Sequence, residues 1–413
     1  MKMSEESMNI AIVGHIDHGK STLTGRIFYD TDSLPEEKIE EIRKTCKELG
    51  REFEFAYAID HLQEEREQEM TIDTAQTFFK TSKRRYVIID TPGHKEFMRN
   101  MITGASQADA AILIVDAKKG MEEQTKRHAY VLAMLGVNQL ILVLNKMDTV
   151  DYSQEVFNQV KDSTTRFLKN LGIEPSYVIP ISAKNGDNIA KNSEKLVWYK
   201  GRTVLQGLDS FKTEESKSKK VLRFPVQDVY TINGKKIVVG RIEQGEIRKG
   251  DKVLVLPNKT KTKISSIVVY NNRIAEKNTA EAGESIGIII EDDQSIKRGN
   301  LICTETNIPE ITNHFRADVF WMSENPLNLK EKITLKLATE ESEAVIEKME
   351  KKINSSSLEE IKDDLNHLRE TEVGVACIKT AKPLMIDTFS KIPELGRFVL
   401  IRNNDIAAGG IIV

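Results

Sequence analysis

Gly14-His15-Ile16-Asp17-His18-Gly19-Lys20-Ser21 decides how this chain is read. The stretch before it, Met8-Asn9-Ile10-Ala11-Ile12-Val13, is a short apolar run of the kind found in the middle of a parallel sheet. The stretch after it, Thr22-Leu23-Thr24-Gly25-Arg26-Ile27, starts a helix. Strand, GxxxxGK[ST] and helix together make a phosphate-binding loop, and the motif has meaning only in that setting. Its glycines let backbone N–H groups curl around phosphate oxygens, and the helix N-terminus adds partial positive charge. Lys20 is expected to reach the β/γ oxygens of a nucleotide and Ser21 to ligate Mg²⁺.

Beyond the loop, the first half of the chain alternates apolar runs with amphipathic helices. Tyr86-Val87-Ile88-Ile89, Ala110-Ala111-Ile112-Leu113-Ile114-Val115, Leu140-Ile141-Leu142-Val143-Leu144 and Tyr177-Val178-Ile179-Pro180-Ile181 are the runs. Helical stretches at residues 123–135 and 154–171 lie between them. That rhythm predicts an α/β domain over residues 1–211, doubly wound, its sheet mostly parallel and buried on both faces. Residues 212–220 are Ser/Lys-rich, have nothing to bury, and read as a linker.

From there the period drops to that of strands. Arg223-Phe224-Pro225-Val226-Gln227-Asp228-Val229-Tyr230-Thr231-Ile232 and Ile237-Val238-Val239-Gly240-Arg241-Ile242 flank Asn233-Gly234, the signature of a tight hairpin. Gly245, Gly250-Asp251, Pro257-Asn258 and Gly283 punctuate further short strands. The cadence predicts a small antiparallel β-barrel over residues 221–307 and a second over residues 308–413. Residues 340–369, dense in Glu, Lys and Asp, are partly helical in pattern and read as a solvated excursion on the second barrel.

A length of 413 residues fits about three domains. The 60 basic and 63 acidic residues leave a net charge of −3, so no global field recruits nucleic acid, although a local basic patch would suffice. Cys46, Cys303 and Cys377 are few, odd in number and unevenly spaced, which fits reduced thiols. The acidic start, Met1-Lys2-Met3-Ser4-Glu5-Glu6-Ser7, lacks the apolar stretch of a signal peptide. No apolar run approaches the ~20 residues of a membrane span. The expectation is a cytoplasmic protein with no membrane partner.

Three further motifs sit at strand ends. Asp90-Thr91-Pro92-Gly93-His94 follows Val87-Ile88-Ile89, so Asp90 is expected to hold Mg²⁺ and the Gly93 N–H to touch a γ-phosphate. Asn145-Lys146-Met147-Asp148 follows Leu142-Val143-Leu144. Asp148 can accept from the N1–H and exocyclic amine of guanine, and adenine offers neither donor there. Ser182-Ala183-Lys184 supplies backbone contacts to the base. In this order and spacing the set predicts a GTP-binding, GTP-hydrolysing domain that uses GTP, GDP and Mg²⁺.

Thr71, in Glu69-Met70-Thr71-Ile72-Asp73, is expected to join Ser21 and Asp90 as a Mg²⁺ ligand when the γ-phosphate is present, which makes its segment a switch. His94 is the candidate for positioning the attacking water, alongside Lys20 and Gly93. His18 reads as structural. His15, His61, His128, His314 and His367 have no carboxylate or cysteine partner at metal-ligand spacing and receive no metal role.

The phosphate loop, Asp90-Thr91-Pro92-Gly93-His94 and Asn145-Lys146-Met147-Asp148 resemble the translation-factor class of GTPases, with two trailing barrels as in elongation factor Tu. The resemblance covers nearly the whole chain and implies that Ile16 and Met70 form an apolar gate shielding His94. Most members read Gly-Ile before the switch threonine, whereas this chain reads Glu69-Met70. Within the class, residues 60–66, Ile72-Asp73-Thr74-Ala75, residues 145–153, Gly186-Asp187-Asn188 and Trp198-Tyr199-Lys200-Gly201 look like the GTPase subunit of ATP sulfurylase, also called sulfate adenylyltransferase subunit 1. Several of these also occur in the archaeal/eukaryotic-type elongation factor.

Phe320-Trp321-Met322-Ser323-Glu324-Asn325-Pro326-Leu327 and Lys379-Thr380-Ala381-Lys382-Pro383-Leu384 resemble the sulfurylase subunit more closely. Elongation factors carry a His-Thr-Ala stretch in the tRNA-binding barrel where this chain reads Leu337-Ala338-Thr339-Glu340-Glu341, and those acids are expected to repel a phosphate backbone. His18 points the other way, since the sulfurylase subunit often has Asp there. The first reading is therefore a subunit that couples GTP hydrolysis to adenylylsulfate formation, from ATP and sulfate, by a separate catalytic adenylyltransferase subunit in a hetero-oligomer. The alternative is an elongation factor that delivers aminoacyl-tRNA to the ribosome.

Overall fold

The computed structural model describes residues 7–34, 36–48, 55, 77–89, 108–212, 220–232, 234–270, 274–291, 295–362 and 364–413. They fall into two compact units, Met1–Thr213 with Ser355–Ser357, and the remainder from Glu214 to Val413. The expected linker at residues 212–220 lies almost wholly outside the described residues.

In the first unit, β1 (Ser7–Gly14), β2 (Thr77–Lys80), β3 (Arg85–Ile89), β4 (Ala110–Asp116), β5 (Leu140–Asn145) and β6 (Tyr177–Pro180) form one sheet in the order β2-β3-β1-β4-β5-β6. All neighbours are parallel except β2, which pairs antiparallel with β3 at the edge. The helices are α1 (Lys20–Asp30), α2 (Glu36–Glu48), α3 (Glu123–Met134), α4 (Gln154–Asn170) and α5 (Val204–Ser210). Every residue of β4 and β5 is buried, as a strand covered on both faces requires. Ile10, Ile12, Ile112 and Ile141 pack with Leu23 and Ile27 of α1 and Leu208 of α5 in one core. Parallel pairing puts the carboxyl ends of β1, β4, β5 and β6 at one edge of the sheet, where an open α/β sheet binds its ligand. Among the described residues no helix is long and apolar enough to cross a membrane.

The second unit contains two rings of antiparallel strands. In the first ring, Arg223–Ile232, Lys235–Arg241, Ser285–Ile290, Thr260–Tyr270, Lys252–Leu256 and Leu301–Cys303 pair in sequence, and the last returns to the first. The second is a closed barrel of Glu310–Trp321, Glu372–Ile386, Glu340–Asn354, Ile333–Leu337, Arg397–Arg402 and Asp405–Ile412. One buried cluster spans both, joining Leu254, Leu256 and Leu301 of the first to Trp321, Leu335 and Ile346 of the second. Beside it the fully buried Arg223 donates to Asp387 Oδ2 at 2.9 Å and to Asn307 Oδ1 at 2.9 Å.

Residues 340–369 depart from expectation. Glu340–Asn354 is a fifteen-residue strand of the closed barrel, not a partly helical excursion. Its register against Glu372–Ile386 shifts between Ile346 and Lys348 and again between Met349 and Lys351. The two bulges put the buried positions Ile346, Met349 and Lys352 three residues apart. A spacing of three mimics a helix in sequence, which is why the charge-rich stretch misleads. The fully buried Lys352 is paired with Glu372 at 3.2 Å.

Glu340 is likewise inside the fold, at 9% exposure, accepting from the Met385 N–H at 2.9 Å. Burial raises its carboxyl from 4.5 to about 7, against the lowering influence of that hydrogen bond and of Lys382. The folded chain thus holds this proton more tightly than the unfolded one. The resulting stability is fully present below the unfolded value and is lost as pH rises through about 7. Glu340→Gln keeps an acceptor for Met385 and cannot ionise. In urea unfolding of the full chain it is expected to be more stable than the natural protein at pH 8, by on the order of 2 kcal/mol, with the difference vanishing at low pH.

Candidate functional site

β1 ends on Gly14, where a side chain would collide with the Ile114 carbonyl of β4. The loop then makes one 3-10 turn, Ile16–His18, and reverses at Gly19, which takes φ 90°. A Cβ at Gly19 would lie 2.5 Å from Asn145 Nδ2. Glycine is therefore required at both ends of the loop, by close approach and by backbone conformation. Lys20 Nζ donates to the carbonyls of Gly14 and His15 at 2.9 Å each, which holds its ammonium over the turn. The first backbone bond of α1 runs from Leu23 N–H to Gly19 O, so Ser21 and Thr22 direct first-turn N–H groups that no helix carbonyl can take. Ile16 is exposed at 58%, Asp17 and Ser21 are also exposed, and Thr22 is half-buried.

The loop is tied to the base-side segments by Asn145 at the end of β5. This residue, 2% exposed, donates from Nδ2 to His18 O at 2.8 Å and accepts at Oδ1 from the Ala183 N–H at 2.9 Å. Lys146 follows in the left-handed region at φ 64° and pairs through Nζ with Asp116 at 2.9 Å. Burial alone would raise the Asp116 carboxyl. The Lys146 ammonium and the N–H groups of Lys118 and Lys119 outweigh it and hold the group below the ordinary carboxylate range. Met147 is buried, while Asp148 is half-buried, its carboxylate within electrostatic reach of the exposed Lys195 ammonium. Ser182 and Ala183 are buried and Lys184 is exposed. Thr71, Asp90, Thr91, Pro92, Gly93, His94 and Met70 lie outside the described residues.

Two residues that sequence reasoning missed support these segments. Tyr152, at φ 55°, donates its hydroxyl to Asp187 Oδ2 at 2.9 Å and accepts from Asn185 Nδ2 at 3.1 Å. Its carbonyl accepts from Trp198 Nε1 at 2.9 Å, so Tyr152 joins the turn after Asp148 to the loop after Ser182. Glu122 is the second. It is the N-cap of α3, yet its carboxylate turns to His18 Nε2 at 2.7 Å and lies 3.5 Å from His15 Nδ1. That corrects the expectation that His15 lacks a carboxylate partner. The contact spans more than a hundred residues of chain, so local spacing could not reveal it.

A triphosphate fits this geometry. The two glycine positions leave a cradle of backbone, Lys20 sits over it, and the half-buried Asp148 carboxylate stands just beyond the end of β5. The family model for the elongation factor Tu GTP binding domain matches residues 5–222. The chain belongs to the translation-factor class of GTPases. Two further models of this class match the rest, elongation factor Tu domain 2 at residues 235–303 and the GTP-eEF1A C-terminal domain-like model at residues 314–413. Elongation factor 1-alpha of Methanocorpusculum labreanum is 36% identical over 100% of this chain and 98% of its own length. That of Methanosarcina mazei is 38% identical over 97% and 96%. Sulfate adenylyltransferase subunit 1 of Alteromonas mediterranea is 35% identical over 99% of this chain and 87% of its own.

As a translation-factor GTPase the chain binds GTP. Asn145→Ala removes two buried hydrogen bonds at about 1–3 kcal/mol each, so GDP affinity is expected to fall on the order of a hundredfold, read by fluorescence titration. Asp148→Asn is expected to move preference from guanine to xanthine nucleotides. Titration with both diphosphates checks this, and unchanged tight GDP binding would remove Asp148 from base recognition.

Proposed function

We propose that this translation-factor GTPase is a GTP-gated carrier of the elongation factor 1-alpha kind, which holds aminoacyl-tRNA in its GTP state and releases it at the ribosome after hydrolysis. The observation that carries this reading is likeness to archaeal elongation factors 1-alpha along the whole chain, the second barrel included. A cavity of about 290 Å³ in the first ring supports it, lined by Tyr230, Ile232, Val239, Ile286 and, at its polar margin, Gln227 and Ser285. Tyr230 and Ile232 are 52% and 41% exposed, a platform on which a terminal base can stack.

The features that drew the sequence toward sulfate activation carry less weight in the folded chain. Phe320 and Trp321 are core residues at 1% and 0% exposure, and Trp321 Nε1 donates to Asn325 O at 3.0 Å. They describe how the barrel packs rather than what it touches. Glu340 is buried and Glu341 is paired with Lys336 at 3.3 Å, so this hairpin does not present two bare acids to a phosphate backbone.

In this reading Lys20 meets the β/γ oxygens, Asp148 reads guanine, and Ser182, Ala183 and Lys184 border the base. Ser21, Thr71 and Asp90 would hold Mg²⁺, which would neutralise phosphate charge. Gly93 N–H contacts the γ-phosphate and His94 orients water behind the gate of Ile16 and Met70.

A second reading, the GTPase subunit of sulfate adenylyltransferase working with a catalytic adenylyltransferase subunit, is favoured by the Alteromonas relative. Filter binding of labelled aminoacyl-tRNA to protein loaded with a non-hydrolysable GTP analogue separates the two. The carrier is expected to bind in the analogue state and not with GDP. Its affinity should fall on the order of a thousandfold between 50 and 200 mM salt if about six phosphates are contacted. No binding at low salt, together with GTP-dependent stimulation of adenylylsulfate formation by a co-purifying adenylyltransferase, would establish the second reading instead.

A further inference from the structure

The His18 ring is fully buried, and its Nδ1 lies 3.2 Å from the carbonyl oxygen of Ile114. A carbonyl only accepts, so Nδ1 carries the ring proton and the neutral ring keeps its lone pair on Nε2. That lone pair faces Glu122 Oε2, another acceptor, at 2.7 Å. Two acceptors at this distance require a positive centre shared between them. A second ring proton is one such centre, and a bound metal ion is another. His15 brings a third donor atom, its Nδ1 standing 3.5 Å from the same Glu122 oxygen. The two rings are 5.2 Å apart at their centroids and tilted by 43°, and the three ligand atoms all lie within 4.8 Å of one another.

We propose that His15, His18 and Glu122 form a binding site for a divalent transition-metal ion of the zinc type, on the side-chain face of the phosphate loop. Metal–nitrogen and metal–oxygen bonds of about 2.0–2.2 Å around a tetrahedron put ligand atoms about 3.4 Å apart; His15 Nδ1 already stands 3.5 Å from Glu122 Oε2, and His18 Nε2, now at 2.7 Å, would have to draw back by less than about 1 Å to admit the ion. Two imidazoles and one carboxylate suit zinc-type ions, whereas Mg²⁺ and Ca²⁺ prefer all-oxygen sites. The Ile114 carbonyl supplies the outer hydrogen bond that orients a ligating histidine, and Asp116 adds negative charge nearby. Glu122 is about one-third exposed (34%) and His15 one-quarter (25%), so the fourth position opens to solvent. The ion would fasten the loop after β1 to the N-cap of α3. A loop so fastened releases nucleotide more slowly.

The test uses the full chain loaded with GDP in excess Mg²⁺, stripped of transition metals and titrated with Co²⁺. One equivalent is expected to give the intense visible absorption of four-coordinate cobalt, displaced by Zn²⁺. Zn²⁺ should also slow release of fluorescent GDP several-fold relative to chelator. Glu122→Gln should weaken Co²⁺ binding by tenfold or more, and His15→Ala provides an independent check should the first variant fold poorly. Only the faint absorption of six-coordinate cobalt, or equal Co²⁺ affinity in folded His15→Ala and Glu122→Gln, would overturn the site and leave His18 and Glu122 as a plain hydrogen-bonded pair.

Discussion

One amide holds the nucleotide site together. Asn145 gives its N–H to the carbonyl of His18 and takes the N–H of Ala183, so a single buried side chain spans the phosphate loop and the base-side loop. Each bond satisfies a backbone group that burial would otherwise leave unpaired. The same amide group dictates Gly19, because it occupies the space a Cβ there would need. Phosphate recognition and base recognition are therefore not separate modules. Both hang from the last residue of β5, whose position follows from two flanking strands paired in register with it.

Much of this was legible in the chain itself, for a physical reason. A strand buried on both faces has to be continuously apolar, and a loop that wraps phosphate needs glycine at fixed offsets. Ala110–Asp116, Leu140–Asn145 and the segment around Lys20 are all local statements of that kind. What escaped notice was set by distant partners or by irregular geometry. Thr77–Lys80 is a four-residue edge strand, too short to show a period. Glu340–Asn354 hid behind two bulges that gave a strand helical spacing. Glu122 and Tyr152 matter through what they touch across the fold, which local spacing does not reveal.

The contest between carrier and sulfate-activating subunit illustrates a related point. Phe320 and Trp321 carry the likeness to the sulfurylase subunit, yet both are buried in the fold, Trp321 in the barrel core. Residues of that kind preserve a packing solution and say little about ligands, whereas exposed residues such as Tyr230 are free to record them. A resemblance weighted by burial would have ranked the two readings differently from one weighted by motif length.

The shared interior of the two rings has a consequence for any attempt to recombine this chain with its relatives. Leu254, Leu256 and Leu301 complete a core whose other members come from the following barrel, and the Arg223–Asp387 pair is sealed beside it. A graft that replaced only the last barrel would have to match those side chains in volume and supply a carboxylate for a guanidinium with no access to water. An uncompensated charge there costs several kcal/mol, more than most small folds can spare. The natural seam for shuffling therefore lies ahead of Arg223, and the two rings travel as one inheritance.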